Sequence, residues 1–379
     1  ILCNDTHLTM TLPGIWYLNQ LFSEDEMSVS GASVPGIPGV LIGHNDRIAW
    51  GVTLAYTDCE DIFVEKSNPA DPDTYVHGGK NIPFEIIKEE IRVKNAPDCI
   101  LNVKYTVHGP LIEESVNQKG SNISLCSMSL QENQMFDGFL RINNAANFDQ
   151  FSEAIGQIDA PQLNFVYADI EGNIGFRISG AVPVRKTGTG ELPKPGWTGE
   201  YDWISTIPFN EMPGGLNPKK QFIISTNNKP VSNDYDHYLG NSFMNGFRAA
   251  RIEQLIKSAP SLNIDYGEQV MQDVKSIPGL TLVKGMICNF RSSRPKSQKI
   301  ILELVNWNGE LSIDSVGGAA YQVFLYFILK NLLSPKLGEE LTYQYLGNGP
   351  HPVLLPENEL LGHGTTALFR IIQNPDSGW

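Results

Sequence analysis

The stretch Pro35–Phe63, PGIPGVLIGHNDRIAWGVTLAYTDCEDIF, restricts the fold more than any other part of the chain. Pro35-Gly36 and Pro38-Gly39 are turn signals, because proline presets φ and glycine reaches positive φ. Val40-Leu41-Ile42 is a short apolar run of strand type. Asn45-Asp46 suits a hairpin turn, and Ile48-Ala49-Trp50-Gly51 begins a return strand. The return strand breaks at Thr57 into an acidic loop, Asp58-x-Glu60-Asp61, and Ile62-Phe63-Val64 resumes it. So apolar a hairpin is expected to be buried, yet it carries charge at one end. A hairpin serving only the core needs neither that charge nor so many glycines.

The rest of the chain reads as a β-rich front and a helical back. Glu85–Lys94 and Cys99–Thr106 alternate in polarity around Asn95-Ala96-Pro97-Asp98, a hairpin signal. Phe148–Ile158 has helical spacing with Asn147 as its N-cap. Asn164–Ser179 is a second hairpin, turning at Glu171-Gly172-Asn173, and Phe222–Ser225 is a short buried strand. After Arg248, the runs Ala249–Ser258, Asp265–Lys275, Leu280–Asn289, Gln298–Asn306, Ala319–Leu333 and Glu357–Gln373 all show helical periodicity. Two parts are expected, residues 1–247 and 248–379, in an α+β class.

Composition excludes several functions. A net charge of −14 over 379 residues argues against a nucleic-acid partner, which needs clustered Lys and Arg. Ala319–Leu333 is interrupted by Gln322 and Lys330 and falls short of the roughly 20 apolar residues of a membrane span. The five cysteines form no CxxC, so a zinc ribbon or thioredoxin-like site is not expected, and an odd count leaves at least one thiol unpaired. The seven histidines form no HxxxH or HExxH motif.

The pattern PGxPGVxxGHNxxIAWGxTxxxxDxxDIFxE resembles the penicillin acylase (penicillin amidase) family of N-terminal-nucleophile hydrolases. Asn4–Leu8 (NDTHL), Val107-His108-Gly109-Pro110, Tyr167–Gly175, Leu192–Gly196, Thr226–Pro230 and Arg248–Ile252 fit the same family in the same order. The resemblance implies an αββα sandwich of two antiparallel sheets, with an added helical subdomain. It implies an amidohydrolase that cleaves N-acyl compounds, such as a β-lactam or an N-acyl homoserine lactone, through a serine acyl-enzyme. It also implies autoproteolytic processing, an α chain cut from the same precursor, and a periplasmic or secreted location. The family nucleophile is a serine at a chain N-terminus, expected upstream of NDTHL and not among these residues.

Site residues carry over position by position. His7 lies where some relatives orient the nucleophile. The backbone N–H of Leu54 and the side-chain amide of Asn227 are the implied oxyanion donors, with Arg248 near that asparagine; Arg251 reads as an ordinary surface residue. The implied acyl wall is Leu8, Ile42, Val52, Leu140 and Leu163, aliphatic throughout. One structural calcium is implied at Asp58 and Asp61, with backbone carbonyls at Glu60 and Gly190 and a further carboxylate at Asp236. Hard oxygen donors suit calcium, though the loop lacks the EF-hand layout. The competing reading is a non-catalytic homologue that keeps the scaffold as a calcium-stabilised binding protein.

Overall fold

The computed structural model describes residues 1–8, 11–24, 27–112, 122–131, 134–288, 290–347, 360–374, 376 and 378. Its first strands are β1 (Tyr17–Ser23), β2 (Met27–Ser33), β3 (Ile42–Asn45), β4 (Ile48–Leu54) and β5 (Glu60–Val64). Next come β6 (Lys66–Asn68), β7 (Asp71–His77), β8 (Lys80–Pro83), β9 (Glu85–Ile91), β10 (Cys99–Thr106), β11 (Gly109–Pro110) and β12 (Ile123–Ser127). Helices α1 (Met135–Asn144) and α2 (Phe148–Ile155) precede β13 (Leu163–Asp169) and β14 (Ile174–Ile178). Four short strands close the β part: β15 (Pro183–Arg185), β16 (Lys194–Pro195), β17 (Trp203–Thr206) and β18 (Gly214–Leu216). The helices that follow are α3 (Phe247–Ser258), α4 (Ile264–Met271), α5 (Ile277–Leu282), α6 (Pro295–Val305), α7 (Val316–Leu346) and α8 (Leu360–Gln373).

The chain divides into two compact units, one mainly Asn4–Phe243 and the other mainly Met244–Trp379. In the first, seven strands form one antiparallel sheet in the order β1-β2-β3-β4-β13-β14-β18. The remaining strands form small sheets of two or three, among them β12-β5-β16 and β11-β10-β9. Strand β4 is central because its alternate residues Ile48, Trp50 and Val52 are all apolar and buried. They pack with Phe139 and Ile142 of α1, with Phe151, Ala154 and Ile155 of α2, and with Phe165 and Tyr167 of β13. Each such aromatic or branched side chain contributes about 1.5–3 kcal/mol on burial.

Asn143 of α1 locks this helix to the hairpin. Its Oδ1 accepts from the Val40 N–H at 2.7 Å, and its Nδ2 donates to the Val40 carbonyl at 2.7 Å. The residue is 1% exposed, so losing those bonds would strand a buried amide. Strands β2 and β3 approach so closely that a Cβ on Gly43 would lie 2.1 Å from the Ser30 carbonyl oxygen. The predicted Asn147 N-cap is present, with its side chain accepting from the Gln150 N–H at 3.0 Å.

Helix α1 is a finding beyond the sequence reading, and the strand predicted at Phe222–Ser225 does not form. That segment is half-buried and lies outside every ladder. Ser225 meets β4 through a side chain only, its Oγ 2.6 Å from Thr53 Oγ1.

The second unit is helical around its own core of Leu282, Val283, Ile301, Leu304, Trp307, Tyr321, Leu325 and Leu329. Trp307 stacks on Tyr321 and donates its indole N–H to the Glu310 carbonyl at 2.8 Å. Helix α7 runs well past Leu333, the limit read from the sequence, and kinks at Gly338, where φ is +77°. Among the described residues it alone has the length and apolarity to cross a bilayer, yet Tyr321, Leu325 and Leu329 are core residues of this unit.

Candidate active site

Val52 and Leu54 are alternate residues at the end of β4, opposite Phe165 and Leu163 of β13. The Ala55 N–H donates to the Gln162 carbonyl at 3.0 Å, so Leu54 stands opposite Leu163 without exchanging hydrogen bonds. The N–H and C=O of Leu54 therefore project away from β13, as do those of Val52. Strand β3 has ended by this point, since its pairing with β4 covers Gly43–Trp50 and His44–Ala49. Side-chain amides take its place. Asn4 Oδ1 accepts from the Val52 N–H at 2.8 Å, and Asn4 Nδ2 donates to the Val52 carbonyl at 3.2 Å. The Leu54 carbonyl accepts from Asn227 Nδ2 at 2.9 Å and from Asn164 Nδ2 at 3.3 Å.

Asn227 reaches that position because its backbone sits at φ +63°, in the left-handed region that asparagine tolerates better than most residues. Asn228 supports the turn by accepting from the Thr226 N–H at 3.2 Å and hydroxyl at 2.9 Å. The structure thus brings together the peptide of Leu54 and the amide of Asn227, two residues that lie far apart in sequence.

The other residues singled out from the sequence have varied surroundings. His7 is exposed, with Nδ1 3.2 Å from the Asp5 carbonyl. Arg248 stands in the first turn of α3, in the other unit. Val52 and Leu163 are in the core cluster with Ile42 packed against it, whereas Leu8 is 50% and Leu140 38% exposed. Arg251, read as a surface charge, makes a bidentate pair with Asp273 at 2.9 and 2.6 Å.

The acidic loop closes around an arginine. Arg185 Nε lies 2.8 Å from Asp61 Oδ2, and its Nη2 lies 2.9 Å from Asp61 Oδ1 and 3.1 Å from Asp58 Oδ1. The Trp203 indole N–H donates to Asp61 Oδ2 at 2.6 Å. The Asp61 and Arg185 side chains are 2% and 3% exposed, so this is a buried, charge-assisted pair. Gly190 closes it at φ +77°, where a Cβ would sit 1.9 Å from Asp61 Oδ1. Burial holds the Asp58 carboxyl above its ordinary range, against the pull of Arg185. Burial and the nearby acids push the Tyr238 hydroxyl, 3.4 Å from Asp58, up to about 12.

Beside the loop lies an open cleft of about 540 Å³ lined by Asp58, Glu60, Gly190, Glu191 and Asn241 among others. Asp58, Glu60 and Glu191 are hard oxygen donors, which is the chemistry calcium takes. Asp61 has both oxygens committed to Arg185 and Trp203. Asp236 does not line the cleft; it is exposed, and its charge acts on Tyr235. Nothing in the local sequence announced Arg185 or Trp203, because both reach Asp61 from more than a hundred residues away. All five cysteines are free thiols, and burial pushes the Cys126 thiol up to about 12.

The chain matches the penicillin amidase family model over residues 1–379. It is 27% identical over 365 residues to the acyl-homoserine lactone acylase QuiP of Pseudomonas aeruginosa, covering 90% of this chain and 43% of that protein. It is 27% identical over 382 residues to the penicillin acylase 2 proenzyme of Pseudomonas sp. (strain SE83), covering 100% of this chain and 48% of that protein. The chain therefore spans less than half the length of these curated relatives. A thermostable penicillin G acylase from Alcaligenes faecalis shares the fold, with a TM-score of 0.73, 22% identity, and coverage of 97% of this chain and 74% of that one. The architecture is the α+β fold of the N-terminal-nucleophile hydrolases, and the chain belongs to the penicillin amidase family.

Proposed function

We propose that the protein hydrolyses the amide of N-acyl compounds through a serine acyl-enzyme. The observation that carries this reading is the meeting of the Leu54 peptide and the Asn227 amide, 2.9 Å apart, at the open side of β4. In this reading a serine ahead of Ile1 in the precursor heads its own chain, and its α-amine, with a pKa near 8, takes the hydroxyl proton. The serine oxygen adds to the acyl carbon, and the negative charge that develops on the carbonyl oxygen is met by the Leu54 N–H and Asn227 Nδ2. Asn227 exchanges its bond to the Leu54 carbonyl for one to that oxygen. The amine leaves with the proton, and water then hydrolyses the ester to a free acid and serine.

The proposed substrate class rests on the positions that the family resemblance assigns to the acyl wall. Ile42, Val52 and Leu163 are aliphatic, and each buried methylene of a fatty acyl chain gains about 0.8 kcal/mol. Long aliphatic acyl amides are the proposed substrates, with the acyl homoserine lactones and penicillins of the relatives as candidates. An α chain from the same precursor is the proposed partner, and the periplasm or exterior the proposed location. A structural calcium is proposed in the cleft at Asp58, with Glu60, Gly190 and Glu191; it takes part in no chemical step.

The test uses the processed protein with chromogenic octanoyl and phenylacetyl amides, followed by mass spectrometry. The expected result is an acyl adduct on a chain-terminal serine and a higher kcat/KM for the octanoyl amide. Absence of both turnover and adduct would sink the catalytic reading and leave a binding protein. A preference for phenylacetyl would overturn only the substrate class.

A further inference from the structure

A second cluster of chemically capable side chains lies away from Leu54 and Asn227. His77 ends β7, His108 sits in the turn between β10 and β11, and Asp202 immediately precedes β17. The ligating atoms of these three residues all lie within 4.8 Å of one another. His77 Nε2 is 3.0 Å from Asp202 Oδ2, and His108 Nε2 is 3.0 Å from Asp202 Oδ1. Zinc bonds of about 2.0–2.1 Å in tetrahedral geometry impose ligand separations of roughly 3.3 Å, close to these two histidine–carboxylate edges, which end on different oxygens of Asp202.

The surroundings hold His108 in one orientation. His108 is 5% exposed, stacked on Phe63 with ring centroids 3.8 Å apart, and its Nδ1 lies 2.7 Å from Glu65 Oε1. A carboxylate behind a histidine fixes the ring so that Nε2 faces outward, the arrangement found behind metal-bound histidines. Glu65 is itself held by Ser124 Oγ at 2.7 Å and Thr106 Oγ1 at 3.0 Å, and its side chain is fully buried. Its second oxygen, Oε2, is buried without a hydrogen-bond partner. So Glu65 keeps a full negative charge in the interior, next to a ring whose outer nitrogen points at a second carboxylate. A buried carboxylate favours positive charge on or beside the ring it touches, carried by an imidazolium proton or by a metal ion on Nε2. His77 and Asp202 are 21% and 28% exposed, which leaves a side open for entry and for a water as fourth ligand.

We propose that His77, His108 and Asp202 form a zinc site, oriented by Glu65, that ties the end of β7, the β10–β11 turn and the start of β17 together. Two imidazoles and one carboxylate are borderline donors, which select zinc over calcium or magnesium. Binding displaces the protons shared between the imidazoles and Asp202 to solvent, and the ion takes their place.

The experiment is calorimetry of chelator-treated protein with zinc chloride, with cobalt(II) substitution read by visible absorption. One zinc per chain is expected, with a tetrahedral cobalt spectrum. His77→Ala and Asp202→Asn should each weaken binding at least tenfold, and Glu65→Gln about 10- to 100-fold, with circular dichroism unchanged. No zinc uptake, uptake unaltered in both His77→Ala and Asp202→Asn, or displacement of the zinc by millimolar calcium would each overturn the proposal. Should a variant fail to fold, the wild-type cobalt spectrum still decides, since a weak octahedral spectrum or none contradicts a two-histidine site.

Discussion

The connector from Leu54 to Asp61 has two unlike ends. At Leu54 every stabilising group is neutral: the amides of Asn164 and Asn227 meet one backbone carbonyl. At Asp61 the groups are ionised and sealed, with the guanidinium of Arg185 inserted between two carboxylates. Neutral hydrogen bonds are worth about 0.5–1.5 kcal/mol net, so an amide can leave one acceptor for another at little cost. A buried ion pair behaves differently, because removing one partner leaves an uncompensated charge in low dielectric. The neutral end is therefore suited to exchange of partners during a reaction, and the charged end to holding the connector still. Substitutions at the charged end should read out as stability, and those at the neutral end as rate.

The largest effect is expected from Arg185→Met. It leaves the Asp61 carboxylate, 2% exposed, with only the Trp203 indole, and removes a cation that stands 5.9 Å from the Trp203 and Tyr238 rings. Loss of one member of a buried pair costs about 3–5 kcal/mol. Urea denaturation should show it as a lowered midpoint, and Asp61→Asn in the same background should recover part of the loss. A change below about 1 kcal/mol would remove the contrast between the two ends.

Asn227→Ala tests the neutral end. Deleting one oxyanion donor lowers kcat by about 100- to 1,000-fold. Stability should move by no more than the net worth of one exposed hydrogen bond, about 1 kcal/mol. Unchanged turnover by the processed variant would mean that the Leu54–Asn227 contact is only a turn support.

These two substitutions also mark how far the sequence could be read. The two hairpins, around Asn45-Asp46 and around Glu171-Gly172-Asn173, and the helical runs were legible because burial writes itself into period-2 and period-3.6 patterns. Asn227 could be singled out through a family motif, but its contact with Leu54 depends on a φ of +63° and on where β3 stops. Arg185 was invisible for a plainer reason. A single arginine in Pro183-Val184-Arg185 looks like any surface charge until the fold places it against Asp61, 124 positions away. The partner of a buried charge is chosen by topology, which local spacing does not encode. The same holds for His77, His108 and Asp202, which reach one point from three separate segments.

Calcium offers a gentler probe of the charged end. If the cleft at Asp58 holds the ion, saturation at about 100 times Kd stabilises the fold by about 2.7 kcal/mol. Differential scanning calorimetry should show a calcium-dependent rise in Tm that Asp58→Ala abolishes. A rise that survives Asp58→Ala places the ion elsewhere, and no rise means that Arg185 alone balances the loop.

The smallest effect concerns an ion pair outside this region, and it separates burial from charge. Arg251 and Asp273 make the same bidentate contact as Arg185 and Asp61, but both side chains are 19% exposed. Hydrogen bonds from Arg251, opposed by partial burial and aided by the Lys275 N–H, hold the Asp273 carboxyl below its usual range. A depressed folded pKa means that the unfolded chain binds the proton first as pH falls. The pair's contribution is therefore full above the unfolded value near 3.9 and is lost as pH drops through the folded value. Water screens the pair, so Arg251→Ala should cost about 1 kcal/mol at pH 7, against the larger loss at Arg185. The same substitution should flatten the acid limb of the stability profile below pH 4. Chemical denaturation at closely spaced pH values checks both. If Arg251→Ala costs as much as Arg185→Met, charge pairing rather than burial sets the energy, and the contrast drawn between Leu54 and Asp61 loses its physical basis.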